Sequence, residues 1–315
     1  MNKLNKIKLY NDDCFNVFPK IKDNTIDLFL LDLPYGTTAC KWDTLIDLDK
    51  MWVEIKRTMK PSAIICFFCT TKFGYSIIKS NEKWFKYDLI WEKSRKVGFL
   101  SANKRQLRKH ENIYVFKDEQ GIYNPQKTEG KPYNCKQGKQ KDIYGIEDKE
   151  QVITHNKGDR HPTSIIEHEN IYVFKEEQGI YNPQKTPRDK DYKHSGKRSS
   201  EEHYGNILEC KKEYKKEDGK HPTSIIEHET TILKHNNPHK TIHRTEKPIG
   251  LLEYLIKTYS NENDLVMDFT MGSGSCGEAC LNTKRDFIGV EMDKEIFTLA
   301  KNRINTHKKI LKTKK

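Results

Sequence analysis

Leu30-Leu31-Asp32-Leu33-Pro34-Tyr35-Gly36 is the stretch on which the reading of this chain turns. The largely apolar run Ile26 to Leu31 ends abruptly in an acid, a leucine, a proline, an aromatic ring and a glycine. Such a run reads as a buried strand, and the polar residues after it fall at its C-terminal edge, where open α/β sheets place their ligands. An acid accepts hydrogen bonds, a proline stiffens a turn and a ring stacks. Together they suit a planar heterocycle that carries an amino group. The same residue types also mark plain strand-to-turn exits, so the rest of the chain decides what Asp32 to Tyr35 mean.

Outward from this stretch, strands alternate with helices. Lys6 to Tyr10 reads as a strand, followed by a helix start at Asn11 to Cys14 that Pro19 interrupts. A helix over Trp52 to Met59, stopped by Pro61, precedes a strand over Ala63 to Cys69. Tyr75 to Ile78 suits a helix, and Tyr87 to Trp91 and Asn112 to Phe116 suit strands. Periodicity returns at Pro248 with a helix over Leu251 to Tyr259, then a strand over Leu265 to Phe269 and a helix over Cys276 to Leu281. A strand over Phe287 to Val290 follows, and Ile296, Leu299, Ala300 and Ile304 give a last helix its apolar face. This order predicts an α/β fold with a mostly parallel sheet. The lysine-rich end, Lys308 to Lys315, is expected to be a frayed basic tail.

The 315 residues carry 57 Lys and Arg against 45 Asp and Glu, a net charge of +12 with a pI near 9.1. That surplus points to a polyanionic partner, nucleic acid ahead of membrane. No apolar run approaches the ~20 residues of a membrane span. Met1 to Lys6 lacks the apolar stretch of a secretory signal, so a cytoplasmic location is expected. Cys66 and Cys69 form a C-x-x-C inside an apolar run with no second pair, which reads as buried strand cysteines and no metal site.

Between about Lys117 and Lys240 the chain is polar and contains a duplication. His110 to Lys117 returns at His168 to Lys175, and Tyr123 to Thr128 returns at Tyr181 to Thr186. His161 to His168 reappears at His221 to His228, so one unit of about sixty residues occurs twice with divergent interiors. Two copies are too few for a solenoid. Both interiors are basic with interleaved tyrosines (Tyr133, Tyr144; Tyr192, Tyr204), a composition suited to phosphate contact and base stacking. Only one copy of the strand is needed, and Ile113 to Phe116 is expected to take the place ahead of Ile171 to Phe174.

Asp268-Phe269-Thr270-Met271-Gly272-Ser273-Gly274-Ser275 forms a second glycine-bearing turn between a strand and a helix. Glycines there let the backbone approach a ligand. Glu291 follows Gly272 by nineteen residues, at the end of the next strand, where nucleotide-binding sheets place an acid for ribose hydroxyls. Neither the three-glycine dinucleotide fingerprint nor a phosphate-binding Lys-Ser/Thr pair is present. An adenosine-bearing ligand without polyphosphate fits better, with S-adenosyl-L-methionine the obvious candidate.

Taken together, Asp32-Leu33-Pro34-Tyr35, Thr245-Glu246-Lys247-Pro248 and Asp268 to Gly274, in that order, resemble the beta-class amino-methyltransferases of DNA from bacteria and phages. That family carries D-P-P-Y, T-x-K-P and D-P-F-x-G-S-G in this circularly permuted order, with a recognition region between. Leu33 stands where the family has its first proline, and Phe269-Thr270 where it has Pro-Phe, so the usual aromatic contact at the third position is missing or shifted.

The resemblance implies a Rossmann-like methyltransferase fold with a mostly parallel seven-stranded sheet. It implies the catalytic half of a methyltransferase domain over 1–117, its cofactor-binding half over 241–307, and a target-recognition region over 118–240 that holds the tandem repeat (110–169 and 168–229). It also implies roles. Asp32 and the Pro34 carbonyl would accept hydrogen bonds from the target amino group, and Tyr35 would stack on a flipped base. Asp13 would contact the cofactor adenine and Glu291 its ribose. Gly272, Ser273 and Gly274 would cradle the methionine part beside Asp268, and Thr245 and Lys247 would line the pocket. The implied partners are double-stranded DNA and a cognate restriction nuclease. The implied reaction is methyl transfer to N6 of adenine, with N4 of cytosine or a catalytically silent DNA-binding relative as the alternatives.

Overall fold

Ile26–Leu31 forms a strand with all six residues buried, and it lies inside an eight-stranded sheet. The computed structural model describes residues 5–36, 43–136, 153–167 and 246–313. A strand covered on both faces has no solvent side to alternate toward, so its sequence is a nearly continuous apolar run. In chain order the strands are β1 (Ile7–Tyr10), β2 (Ile26–Leu31), β3 (Met59–Cys69), β4 (Phe85–Val97) and β5 (Arg108–Phe116). They continue as β6 (Thr128–Glu129), β7 (Tyr133–Lys136), β8 (Ile153–Asn156), β9 (Asp159–Arg160), β10 (Ile165–Ile166), β11 (Leu265–Asp268) and β12 (Asp286–Val290). The main sheet has the order β1-β12-β11-β2-β3-β5-β4-β10. Its first five strands are mutually parallel, β5 is antiparallel to both β3 and β4, and β10 is parallel to β4.

Successive strand side chains point to opposite faces, and each face has its own helical layer. Leu28, Leu30, Cys66, Phe68, Ile113 and Val115 pack with α4 (Ile249–Tyr259), α5 (Ser275–Asn282) and α6 (Lys294–Thr313). Phe29, Leu31, Ile65, Phe67, Tyr114 and Phe116 pack with α1 (Cys14–Val17), α2 (Leu48–Thr58) and α3 (Thr71–Ser80). The N-terminal and C-terminal halves of the chain thus interleave in one sheet. Among the described residues no helix is long and apolar enough to cross a membrane.

Several expectations change here. The sheet has eight strands instead of seven, because the two residues of β10 pair with Ile90 and Trp91 of β4. Pro61 lies inside β3, in the segment where the register against β2 shifts between Ile26↔Met59 and Leu28↔Ile64. That irregularity takes up a residue with no N–H to donate. Residues 308–313 are not a frayed tail: α6 continues through Lys308 to Thr313. Leu311 packs against the core, and Lys308 Nζ donates to the Asn5 carbonyl at 3.4 Å.

Ile113–Phe116, in the first copy of the repeated strand, pairs on both sides within β5. The first His161-Pro162-Thr163-Ser164 segment leads into β10, with the Ser164 carbonyl accepting the Ile90 N–H at 2.8 Å. One repeat unit therefore flanks β4 from both sides. Its border residue Asn124 ties this unit to α4. The Asn124 N–H donates to the Thr258 carbonyl at 2.7 Å, and the side-chain amide donates to the carbonyls of Lys257 and Ser260 at 3.2 and 3.1 Å. These carbonyls end a helix and have no intrahelical donor. β6 pairs with β9 and β7 with β8 in two small sheets, where Arg160 stacks on Tyr133 with its guanidinium carbon 4.7 Å from the ring centroid. The second copy, with Tyr144, Tyr192, Tyr204 and Thr245, lies outside the described residues.

Residues 168–227 span most of the second copy of the repeat, and the eight strands of the main sheet pair with one another without them. Removing them shortens the connection from Glu167 to Glu246 from 78 residues to 18. The deletion is expected to unfold in one cooperative thermal transition at a midpoint no lower than the full chain's. Loss of that transition in circular dichroism would show that the repeat contributes to the core.

Candidate active site

The strand order explains how residues 13, 32, 268–274 and 291 meet. β1, β12, β11 and β2 are adjacent and parallel, so the loops leaving their carboxyl ends lie side by side. Those loops carry Asp13, Glu291, Asp268 to Gly274, and Asp32 to Tyr35 respectively. Such an edge is where α/β sheets bind ligands. A cavity of about 1010 Å³ opens there, and Asp13, Asp32, Tyr35, Lys247, Gly272 and Glu291 all line it.

Asp32 is held from both oxygens. Oδ1 lies 3.0 Å from the Tyr35 hydroxyl, and Oδ2 accepts from Lys247 Nζ at 2.5 Å. Each carboxylate oxygen has two acceptor sites, so one on each remains for a ligand. Lys247 itself is buried, 3.6 Å from Glu111 and 5.1 Å from the centre of the Phe68 ring. Burial opposes its charge, but Asp32 and Glu111 outweigh burial and hold its pKa above the ordinary lysine value. Glu111 is partly buried, and Lys247 and Lys93 outweigh that burial to hold it below the usual glutamate range. Lys93 pairs directly with Glu111. Charges therefore alternate along Lys93, Glu111, Lys247 and Asp32. Burial, with Asp32 and Glu111 nearby, pushes the Tyr35 phenol far up, so Tyr35 is a neutral donor. Its ring sits 4.9 Å from that of Phe73.

The two departures from the family pattern have structural roles. Leu33 is buried among Phe18, Phe29 and their neighbours, which anchors the turn where the family has a proline. Phe269 is buried against Phe18, ring centroids 5.2 Å apart. Thr270 Oγ1 donates to the Asp32 carbonyl at 3.2 Å and so joins the second glycine-bearing turn to the first.

The two glycines of that second turn differ. Gly272 has φ +48° and open space where a Cβ would stand, and its N–H donates to Glu291 Oε2 at 3.0 Å. Gly274 has φ +77°, and a Cβ there would lie 3.0 Å from that of Ala300. Close packing on α6 therefore requires Gly274, which does not line the cavity. Glu291 is fixed through its other oxygen, which accepts the Asp293 N–H at 2.9 Å. Asp13 caps α1 by accepting the Phe15 N–H at 2.8 Å. Ser273 lies under Arg303, which pairs with Glu246 and Glu278 at 2.6 Å each. The segment at Glu246-Lys247 is thus clamped from two sides.

Sequence reasoning missed Glu111, Lys93 and Trp91, which line the cavity. The signal was available: a His-Glu pair opening an apolar strand puts a charge at the strand's entry to the core. Trp91 Nε1 is buried with no acceptor among the described residues. Cys66 and Cys69 are buried in β3 as expected.

The parallel sheet brings glycine-bearing and acid-bearing loops together at one edge, the arrangement of an α/β fold with a candidate ligand pocket. The chain belongs to the N6/N4 DNA methylase family, whose profile, described as DNA methylase, matches residues 26–302. It is similar to the type II methyltransferase M.BglII of Bacillus subtilis, 24% identical over 93% of this chain and 67% of that protein. M.HpaI of Haemophilus parainfluenzae is 33% identical over 28% of this chain and 27% of its own length. This chain spans only about a quarter of the length of M.HpaI, M2.LlaDCHI and M2.MboI. Among solved structures, the cytosine-N4-specific PvuII DNA methyltransferase superposes with a TM-score of 0.53 at 12% identity, over 98% of this chain and 93% of that one. M1.HpyAVI superposes at 0.51 with 18% identity, over 95% and 98%. Both show the shared fold.

Two measurements check this electrostatic account. Lys247→Met leaves Asp32 and Glu111 without their shared cation and is expected to cost about 3 kcal/mol in urea unfolding. The double variant with Glu111→Gln should recover part of that loss, and a cost below about 1 kcal/mol in the single variant would contradict a structural ion pair. Burial pushes Asp268 up to about 8 despite the Thr270 N–H it accepts. The folded chain then keeps a proton that the unfolded chain releases above about pH 4, so stability is lost as pH rises from about 4 to 8. Asp268→Asn is expected to stabilise the protein by roughly 3–4 kcal/mol more at pH 8 than at pH 5. Equal shifts at both values would reject this.

Proposed function

We propose that this chain is a site-specific DNA methyltransferase that uses S-adenosyl-L-methionine to methylate N6 of adenine in duplex DNA. The observation that carries this reading is the sharing of one cavity by Asp32, held from both oxygens, and the Gly272–Glu291 turn. Charge supports the choice of ligands. Ten acids and three lysines line the cavity of a chain whose net charge is +12. An acidic pocket suits a cationic sulfonium and disfavours a polyphosphate, while a basic chain suits a DNA backbone.

The bound cofactor supplies an electrophilic methyl group on its sulfonium. Glu291 would accept hydrogen bonds from the ribose hydroxyls and Asp13 would face the adenine. Gly272 and Ser273 would border the methionine part, with Gly274 holding the turn against α6. Lys247 and Thr245 would close the pocket from the segment ahead of α4. On the substrate side, Tyr35 stacks on an extruded base, returning part of the cost of unstacking it. Asp32 and the Pro34 carbonyl accept the two amino hydrogens and draw the nitrogen lone pair out of ring conjugation. After transfer, Asp32 is the nearest acceptor for the proton that the nitrogen loses. Catalysis is then mostly orientation and fixed charge. The acid at the first tetrad position favours adenine over cytosine, by the family resemblance.

Mass spectrometry of DNA from cells expressing the protein is expected to show N6-methyladenine. N4-methylcytosine in its place would overturn the adenine assignment. Asp32→Ala should lower methyl transfer by about 10³-fold or more while calorimetry still detects cofactor binding, and full activity in that variant would reject the clamp.

A further inference from the structure

The hairpin between β4 and β5 projects from the same edge as Asp32. β3 ends its pairing with β5 at Cys69↔Asn112, but β4 and β5 continue together through Trp91↔Glu111 and Glu92↔His110 to Val97↔Arg108. Four residues of β5 beyond Asn112 extend about 13 Å at strand rise. β2 pairs with β3 as far as Leu31↔Phe67, so Asp32 leaves the sheet in this same direction. Trp91, Lys93, Val97 and Glu111 of the hairpin wall the cavity that Asp32 lines.

At the tip the chemistry changes. Gly98, at φ +92°, turns the chain, and Phe99 and Leu100 are 77% and 87% exposed. Val97 and Leu107 beside them are also exposed. Residues 93–109 carry seven lysines and arginines and no acid. An apolar tip on a basic stalk is not a folding requirement of the sheet, whose core contains none of these side chains. The charge selects a polyanion over a protein surface as the partner.

We propose that this hairpin is an insertion wedge for duplex DNA: Phe99 and Leu100 enter the base stack at the target pair while the basic stalk holds the flanking phosphates. Apolar side chains that enter a base step unstack it. Phe99 and Leu100 fill the space left by the extruded base, and the stalk keeps that base beside the cavity. The inference rests on the proposed action on duplex DNA and adds the element that opens the duplex.

The test uses the full chain and a duplex containing a site mapped from methylated cellular DNA, with 2-aminopurine at the target position for fluorescence. Phe99→Ala/Leu100→Ala is expected to abolish the fluorescence rise of the wild type. It should lower kcat/KM on the matched duplex by roughly 10–100-fold, and an abasic site opposite the target, which removes the pairing to be opened, should restore most of the rate. Lys104→Ala/Arg105→Ala should instead weaken binding to any duplex and reduce the salt slope by about 2. Unchanged rates in the Phe99/Leu100 variant, or a loss that the abasic duplex does not rescue, would overturn the wedge, as would a defect seen only when a second protein is added. A wild type that methylates no duplex would overturn the proposed function instead.

Discussion

The Lys247–Asp32 ion pair joins two parts of the chain that lie 215 residues apart. Asp32 leaves β2 and Lys247 leads into α4, so this contact closes the permuted halves over one cavity. A buried lysine is costly alone. Here it faces two carboxylates, and the second, Glu111, is balanced by Lys93. Alternation makes the burial tolerable and leaves Asp32 fixed in direction. The neighbouring Glu246 is held by Arg303 of α6, so adjacent residues of one short segment grip opposite parts of the fold.

Charge is partitioned with purpose across the molecule. Acids crowd the cavity, whereas lysines and arginines line the β4–β5 hairpin. A cationic small molecule and an anionic polymer can then bind close together without competing for the same groups. The first copy of the duplicated unit takes part in both regimes. One unit supplies β5 and β10, both beside β4, and its β5 also brings Glu111 to Lys247. The first repeat unit is therefore not simply appended to the main sheet. Its leading strand completes the ion network around Asp32.

Much of the fold was legible in the sequence. Apolar runs at Ile26–Leu31, Ala63–Cys69 and Leu265–Asp268 became adjacent strands, and the Asp32 and Gly272 turns fell at one edge. Both substitutions in the family pattern were visible, but not their consequences: Leu33 became a core anchor and Thr270 a bridge to Asp32. The lysine-rich end misled, because composition suggests fraying while Leu311 supplies a packing contact. Gly272 and Gly274 look alike in a motif, yet one faces open space and the other faces Ala300.

What the sequence by itself determined is the order of elements, the presence of a buried parallel sheet and the residues at its ligand-binding edge. Those properties follow from local periodicity and from turn chemistry, which are written along the chain. Only the tertiary structure decided which charges pair, which glycine serves packing, and how far the β4–β5 hairpin overshoots the sheet. Pairing and overshoot depend on strand order and register between distant segments. The distance from Lys247 to Asp32 exists only once β2 and α4 share a core.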